Sequence, residues 1–468
     1  MTLRLEASRV ERTDTLMNAN SIRLTATGLL VATALGAQAR AQSADAIIDK
    51  LVDKGILTVD EANELKDETD KGFTAAYSVK SGMPDWVTAL KINGDFRGRF
   101  EGFYADNPAF EDRARWRYRL RLGITANLRD NLEVGFRLAS GDGDPISTNQ
   151  TLQDNGSKKP VGIDLAYLKW TALNSPTLAG ALSVGKLENP FVFSDLVFDG
   201  DYTPEGAGEQ LSYTLNDKQS LKLNAGQFVL DEAGSSGRDP YLWGGQVRLE
   251  SIWTPKVSSS VGASILAITG EDSLTSASVP DINRGTLRKT SVASDGRTVS
   301  LTSPVNGYST LVADAGVTYN LDSMPFNTGV FPIRVFGDYL HNFRAEEASD
   351  GYQIGLQFGK AGKRKTWEVS YRWKVLEGDA WWEELTDSDF GAFYQNGLSA
   401  PPPPAARSAN SGYFAGTNVR GHVVKAGYSP FDSLQFNVTW FRTELIEEQR
   451  TGSDSMMNRL QVDAVLKF

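Results

Sequence analysis

From about Lys91 to Phe468, apolar and polar residues alternate with a period of two, the pattern of strands with one face toward an apolar medium and the other toward a polar one. The alternating segments run 91–104, 113–127, 131–139, 161–171, 179–187, 207–216, 219–230 and 241–254. They continue as 256–268, 308–321, 331–344, 350–360, 365–376, 417–429, 433–444 and 457–468. These sixteen segments predict an all-β fold. Short turn-rich links, such as Arg129-Asp130-Asn131 and Asn216-Asp217-Lys218, alternate with long Gly/Ser/Pro-rich ones at 140–160, 188–206, 269–307 and 377–416. A soluble sandwich has no reason to gather its long loops at one end. An antiparallel transmembrane barrel does, with short inner turns and long outer loops.

The segment RARWRYRLRLGI makes the orientation physical. Arg113, Arg115, Arg117, Arg119 and Arg121 point one way, while Trp116, Tyr118, Leu120, Leu122 and Ile124 point the other. An arginine facing lipid costs ~2–4 kcal/mol near the bilayer midplane and less at the rims, so the arginines are expected to line a water-filled lumen. Arg97 and Arg99 on the segment before, and Arg137 on the one after, extend this basic ladder. Later segments alternate in the same way, and their Trp and Tyr residues suit the aromatic girdles of such barrels.

The amino-terminal region has a different pattern. Leu24 to Ala39 is uncharged, follows Arg23, and leads into the small-residue sites Ala37-Gln38-Ala39 and Ala39-Arg40-Ala41. This predicts a secretory signal over 1–41, with Met17 as an alternative start. The run is too short and too rich in Ala, Thr and Gly to span ~30 Å of hydrocarbon. Residues 42–85 are expected to hold a periplasmic helical hairpin and linker: Ile47, Ile48, Leu51 and Val52 recur at helical spacing, and Thr58-Val59-Asp60-Glu61 forms a capping box. The barrel is then expected over 86–468.

Composition narrows the function. A net charge of −10 argues against nucleic acid as a partner. Cysteine is absent, which excludes disulfides and thiolate metal sites. No metal cluster, nucleotide loop or cofactor signal stands out, so no cofactor is expected. A barrel enzyme is a rival class, but only His341 and His422 are present, both in predicted strands without a nucleophile motif nearby. A surface adhesin could be argued from the Ser/Thr-rich 269–307 link and Pro401–Pro404, although low complexity in an outer loop more often means exposure. A solute-specific channel could use Trp381 and Trp382, beside Glu383 and Glu384, as a patch at the mouth.

The LVDKGILTVDEANEL segment, the KINGDFRGRFEGFY first strand and the terminal LKF resemble the family of bacterial putative porins and, more distantly, the sixteen-stranded general porins. The resemblance implies a Gram-negative outer-membrane pore passing small hydrophilic solutes and ions passively, commonly as a homotrimer among outer-membrane lipids. The last strand, with Leu466 and Phe468, resembles the signal read by the outer-membrane assembly machinery. The DYTPEG run resembles part of the loop that narrows general porins, which implies a constriction role for Glu188, Asp195, Asp199, Asp201 and Glu205. These acids are expected to face the arginine ladder across the narrowest section and set up a transverse field.

Overall fold

The computed structural model describes residues 84–468 apart from 109–110, 233, 235–236, 275–278, 280–282, 293–297, 395–411 and 449–454. The expected signal segment and helical hairpin lie outside the described residues.

Sixteen long strands follow one another in chain order: β1 Val87–Ala105, β2 Arg113–Leu128, β3 Leu132–Ser140, β4 Val161–Asn174, β5 Leu178–Lys186, β6 Glu205–Asn216, β7 Gln219–Val229 and β8 Tyr241–Thr254. The second half is β9 Val257–Thr269, β10 Tyr308–Leu321, β11 Phe331–Asn342, β12 Asp350–Gly359, β13 Thr366–Leu376, β14 Val419–Ser429, β15 Leu434–Leu445 and β16 Met457–Lys467. Each pairs antiparallel with the next, and β1 pairs with β16 from Asp95↔Lys467 to Ala105↔Met457, so the sheet closes. Closure leaves no unpaired edge, the condition for a sheet to sit in hydrocarbon.

Strand lengths are unequal, and the gap is filled locally. β2 outruns β3, whose pairing ends at Arg121↔Ala139. Beyond it the two-residue strand Gln150–Thr151 takes over the β2 backbone at Tyr118 and Arg117. The intervening segment 141–149 is thereby turned inward, where Thr148 and Asn149 are buried.

The two faces separate cleanly. On β2, Leu120 is 45% exposed and Arg119 only 8%. With the pairing above, the exposed face is the outer wall. Ile92, Phe96, Phe136, Leu168, Val261, Val335, Ile354 and Val438 extend this apolar wall around the barrel. Exposed Trp86, Tyr213, Trp253, Tyr319 and Tyr428 mark the end carrying the short turns, and Trp116, Trp243, Tyr339 and Tyr352 mark the other. On the lumen side, the absence of a side chain at Gly135 makes room for the Tyr167 ring of β4.

The compact core lies inside the barrel, toward the long-loop end. Inward residues Phe228, Leu242, Leu266, Val312 and Leu340 are fully buried. They form one cluster with Phe191, Leu196, Val197, Phe198 and Tyr202 of the β5–β6 loop and with Trp381, Trp382 and Leu385 of the β13–β14 loop. Burying a large side chain contributes ~1.5–3 kcal/mol, so two loops are held in the lumen chiefly by the hydrophobic effect. The alternative of a tryptophan patch at the mouth is corrected here. Trp381 is 0% and Trp382 2% exposed, because they pack edge-on against Phe198 and Tyr308.

Candidate pore and its constriction

Strand register brings the ladder together. Arg97, Arg99 and Glu101 of β1 stand opposite Arg119, Arg117 and Arg115 of β2, with all six side chains on the lumen side of the pleat. So many like charges are tolerable only with carboxylates among them, and the neighbouring strands supply these. Arg99 forks onto Asp463 of β16 at 2.7 and 2.9 Å. Arg115 donates to Glu101 at 2.5 Å, and Arg119 and Arg121 share Asp95 at 2.9 and 2.7 Å. Arg137 of β3 donates to Asp164 of β4 at 2.5 Å. Arg113 is exposed at the outer end of β2.

Arg97 and Arg117 are placed differently. Arg97 donates to the Asn149 side-chain oxygen at 2.6 Å, and Arg117 to the Asn149 carbonyl at 3.4 Å.

The β5–β6 loop, residues 187–204, distributes its acids between two walls. Asp201 accepts from Arg119 at 3.1 Å, from Arg121 at 3.4 Å and from the Thr148 hydroxyl at 3.1 Å. Asp195 instead accepts from Arg372 at 2.5 Å and Lys374 at 3.1 Å on β13. The loop therefore runs across the lumen as a strap tied at both ends. Asp201 touches the ladder directly instead of facing it across water. Among the described residues Asp199 accepts only backbone N–H groups, from Asp201 and Ser388. Burial, then the nearby Asp201 and Asp387, push its carboxyl well above the usual range. Glu188 and Glu205 lie at the margins, largely exposed, near Arg137 at 3.5 Å and Lys186 at 3.2 Å.

A second inward loop, the β13–β14 connection, was not legible as part of the site. Its Asp389 accepts from Arg99 at 2.9 Å and Arg459 at 2.7 Å, and Asp387 accepts from Lys374 at 3.1 Å. Burial opposes ionisation of Asp389, but Arg459 and Arg99 outweigh it and hold the group well below the usual carboxylate range. Glu383 pairs with Arg288, which lies over the Trp382 ring. The two loops also bond to each other, Asp199 N–H donating to the Leu385 carbonyl at 2.9 Å. One sequence signal pointed here: two adjacent tryptophans among six acids between Glu377 and Asp389. A freely solvated loop has no use for adjacent tryptophans.

Against the strap, a cavity of about 280 Å³ is lined by Arg121, Arg137, Glu188, Phe193, Phe198 and Asp199 among others. A larger cavity of about 540 Å³ at the short-turn end is lined by Lys218, Arg248, Glu250, Thr318 and Arg334 among others.

Leu466 and Phe468 sit at the seam. Leu466 is exposed on the outer face opposite Phe96. The Phe468 carbonyl accepts from Gly94 N–H at 2.8 Å, and its own N–H donates back to the Gly94 carbonyl at 3.1 Å.

A closed sixteen-stranded barrel with an apolar belt, two aromatic girdles and a charged, strapped lumen has the architecture of a transmembrane β-barrel. Residues 105–272 match the family model described as "Putative porin". No curated protein matches the chain. Among solved structures it is similar to OprB of Pseudomonas putida at 10% identity and a TM-score of 0.46, covering 83% of this chain and 99% of that one. It is also similar to OmpF of Salmonella typhi, solved with daunomycin, at 10% identity and a TM-score of 0.43, covering 81% and 98%. OmpT of Vibrio cholerae, in a trimer form, matches at 10% and 0.40, covering 81% and 100%.

Proposed function

We propose that small hydrophilic solutes and ions cross the outer membrane passively through this lumen, without chemical conversion, and that selection occurs where the two loops meet the β16–β1–β2 wall. The observation that carries the reading is the sidedness of β2, with its arginines turned inward and its apolar residues outward. Charged walls in a confined aqueous space order dipolar solutes and disfavour apolar ones. Asp201 and Asp389 trim the positive field of the ladder, and Asp195 and Asp387 do the same along β13. A homotrimer in outer-membrane lipid, inserted by the assembly machinery, is part of this proposal.

Planar-bilayer recording of the purified protein tests it. Discrete ohmic steps in KCl are expected, closing in groups of three for a trimer. A membrane that stays silent after verified insertion would refute the channel. A second reading, a solute-specific channel, is favoured by the double strap, since two inward loops leave less room than one. Saturable block of KCl current by a single sugar or organic acid would select it over the general channel.

A further inference from the structure

The arginines of the β16–β1–β2 wall are not treated equally. Arg99, Arg115, Arg119, Arg121 and Arg459 each engage a carboxylate at 3.1 Å or less. Arg97 has no carboxylate within ion-pair distance among the described residues, and Arg117 has only Glu101, at 3.9 Å. Asn149 stands where a carboxylate would be expected, offering each of them one neutral oxygen. Both Nε atoms are buried and lack a protein acceptor. Neither residue is sealed off, because both remain partly accessible and the Arg117 side chain keeps 12% exposure.

From this juxtaposition we infer that Arg97 and Arg117, bridged by Asn149, form a binding step for a small oxyanion, a carboxylate-bearing solute above all. The inference rests on the channel reading and deepens it by naming a solute class. Two guanidinium charges, one with no carboxylate at ion-pair distance among the described residues and the other with one only at 3.9 Å, favour an anion in a confined space. Their planar forks suit two-oxygen groups better than a spherical ion. Asn149 belongs to the short inward segment between β3 and Gln150–Thr151. Its neutral oxygens are weaker acceptors than a carboxylate, so an entering oxyanion can displace them. The constriction would then pass anions by preference although the chain carries a net charge of −10.

The test is bilayer recording of the full protein and of the double variant Arg97→Gln/Arg117→Gln, in potassium chloride, potassium acetate and potassium phosphate. Arg97→Lys/Arg117→Lys serves as the charge-retaining variant. Barrel formation is verified for each by its migration on unheated gels. In the wild type, a KCl gradient should give an anion-preferring reversal potential, and conductance should saturate with acetate or phosphate; the anion that saturates at lower concentration identifies the group the site suits. The glutamine variant should lose saturation and shift the anion-to-cation permeability ratio by at least about fivefold, roughly the effect of one of its two lost unit charges at about 4 Å in water. The lysine variant should keep the reversal potential and lose saturation. Wild-type conductance linear in both oxyanions, or glutamine variants with unchanged saturation, overturns the inference and leaves the channel intact. A silent wild type overturns the channel and the inference together.

Discussion

Asp389, far along the chain in the β13–β14 loop, accepts from Nη1 of Arg99 on β1 at 2.9 Å. The same carboxylate accepts from Arg459 on β16 at 2.7 Å, so one loop residue pins the second strap to the closing seam of the barrel. Asp389→Asn would leave two buried guanidinium groups short of counter-charge. The loss should be about 1.5–3 kcal/mol, the range for a hydrogen bond to a charged group. A lower melting temperature and noisier single-channel current are expected. A quiet, fully stable variant would mean that Asp389 does not hold the loop.

The same contact sets an acid limit. Asp389 is held ionised well below the usual range by Arg459 and Arg99 against the cost of burial. Its stabilisation is therefore complete above the unfolded carboxyl value of about 3.9 and fades as pH falls from there through the depressed native value. Channel noise in the wild type should rise on acidification below about pH 4, and Asp389→Asn should flatten that part of the profile. Identical acid profiles would assign the limb to another group.

Asp199 and Asp201 sit two residues apart in the first strap and should respond differently to neutralisation. Asp201 is bound to Arg119 and Arg121, so Asp201→Asn frees positive charge and should move the reversal potential toward anions. Asp199 has no cation at ion-pair distance among the described residues, and its raised pKa keeps its proton bound to higher pH. Asp199→Asn should leave selectivity close to wild type. Equal shifts from both would contradict the charge states assigned here.

The wall can be tested by side. Leu120 lies near the middle of β2 on the outer face, and Leu120→Lys should destabilise the inserted barrel by ~2–4 kcal/mol. Unfolding from lipid vesicles in denaturant measures this. An unaffected Leu120→Lys would contradict the assignment of that face to lipid.

Trp381 is the largest fully buried side chain of the inner core. Trp381→Ala should cost ~3–5 kcal/mol through lost burial and an unfilled cavity. If the strap folds away as a result, unit conductance should rise. A smaller conductance would mean that the collapsed loop blocks the lumen further.

Much of the barrel was readable from alternation alone. The expected segments 113–127, 241–254 and 308–321 match β2, β8 and β10 to within a residue, because lipid on one side and water on the other impose a period of two that no turn disturbs. The parity of Arg97, Arg99 and Arg115–Arg121 likewise placed them on one face. Their partners were harder to see. Asp463 meets Arg99 only because β16 closes onto β1, and Asp389 reaches it only because a loop folds inward.

By itself the sequence determined the strands, their number and which side of each faces water, since these depend on local periodicity and on the cost of placing charge in hydrocarbon. Tertiary structure alone decided which loops enter the lumen, which carboxylates meet which arginines, and that Arg97 and Arg117 are left with an amide. The reason is range. Strand pairing and sidedness repeat along the chain, whereas the constriction joins residues hundreds of positions apart through ring closure and inward apolar packing, which leave no periodic trace.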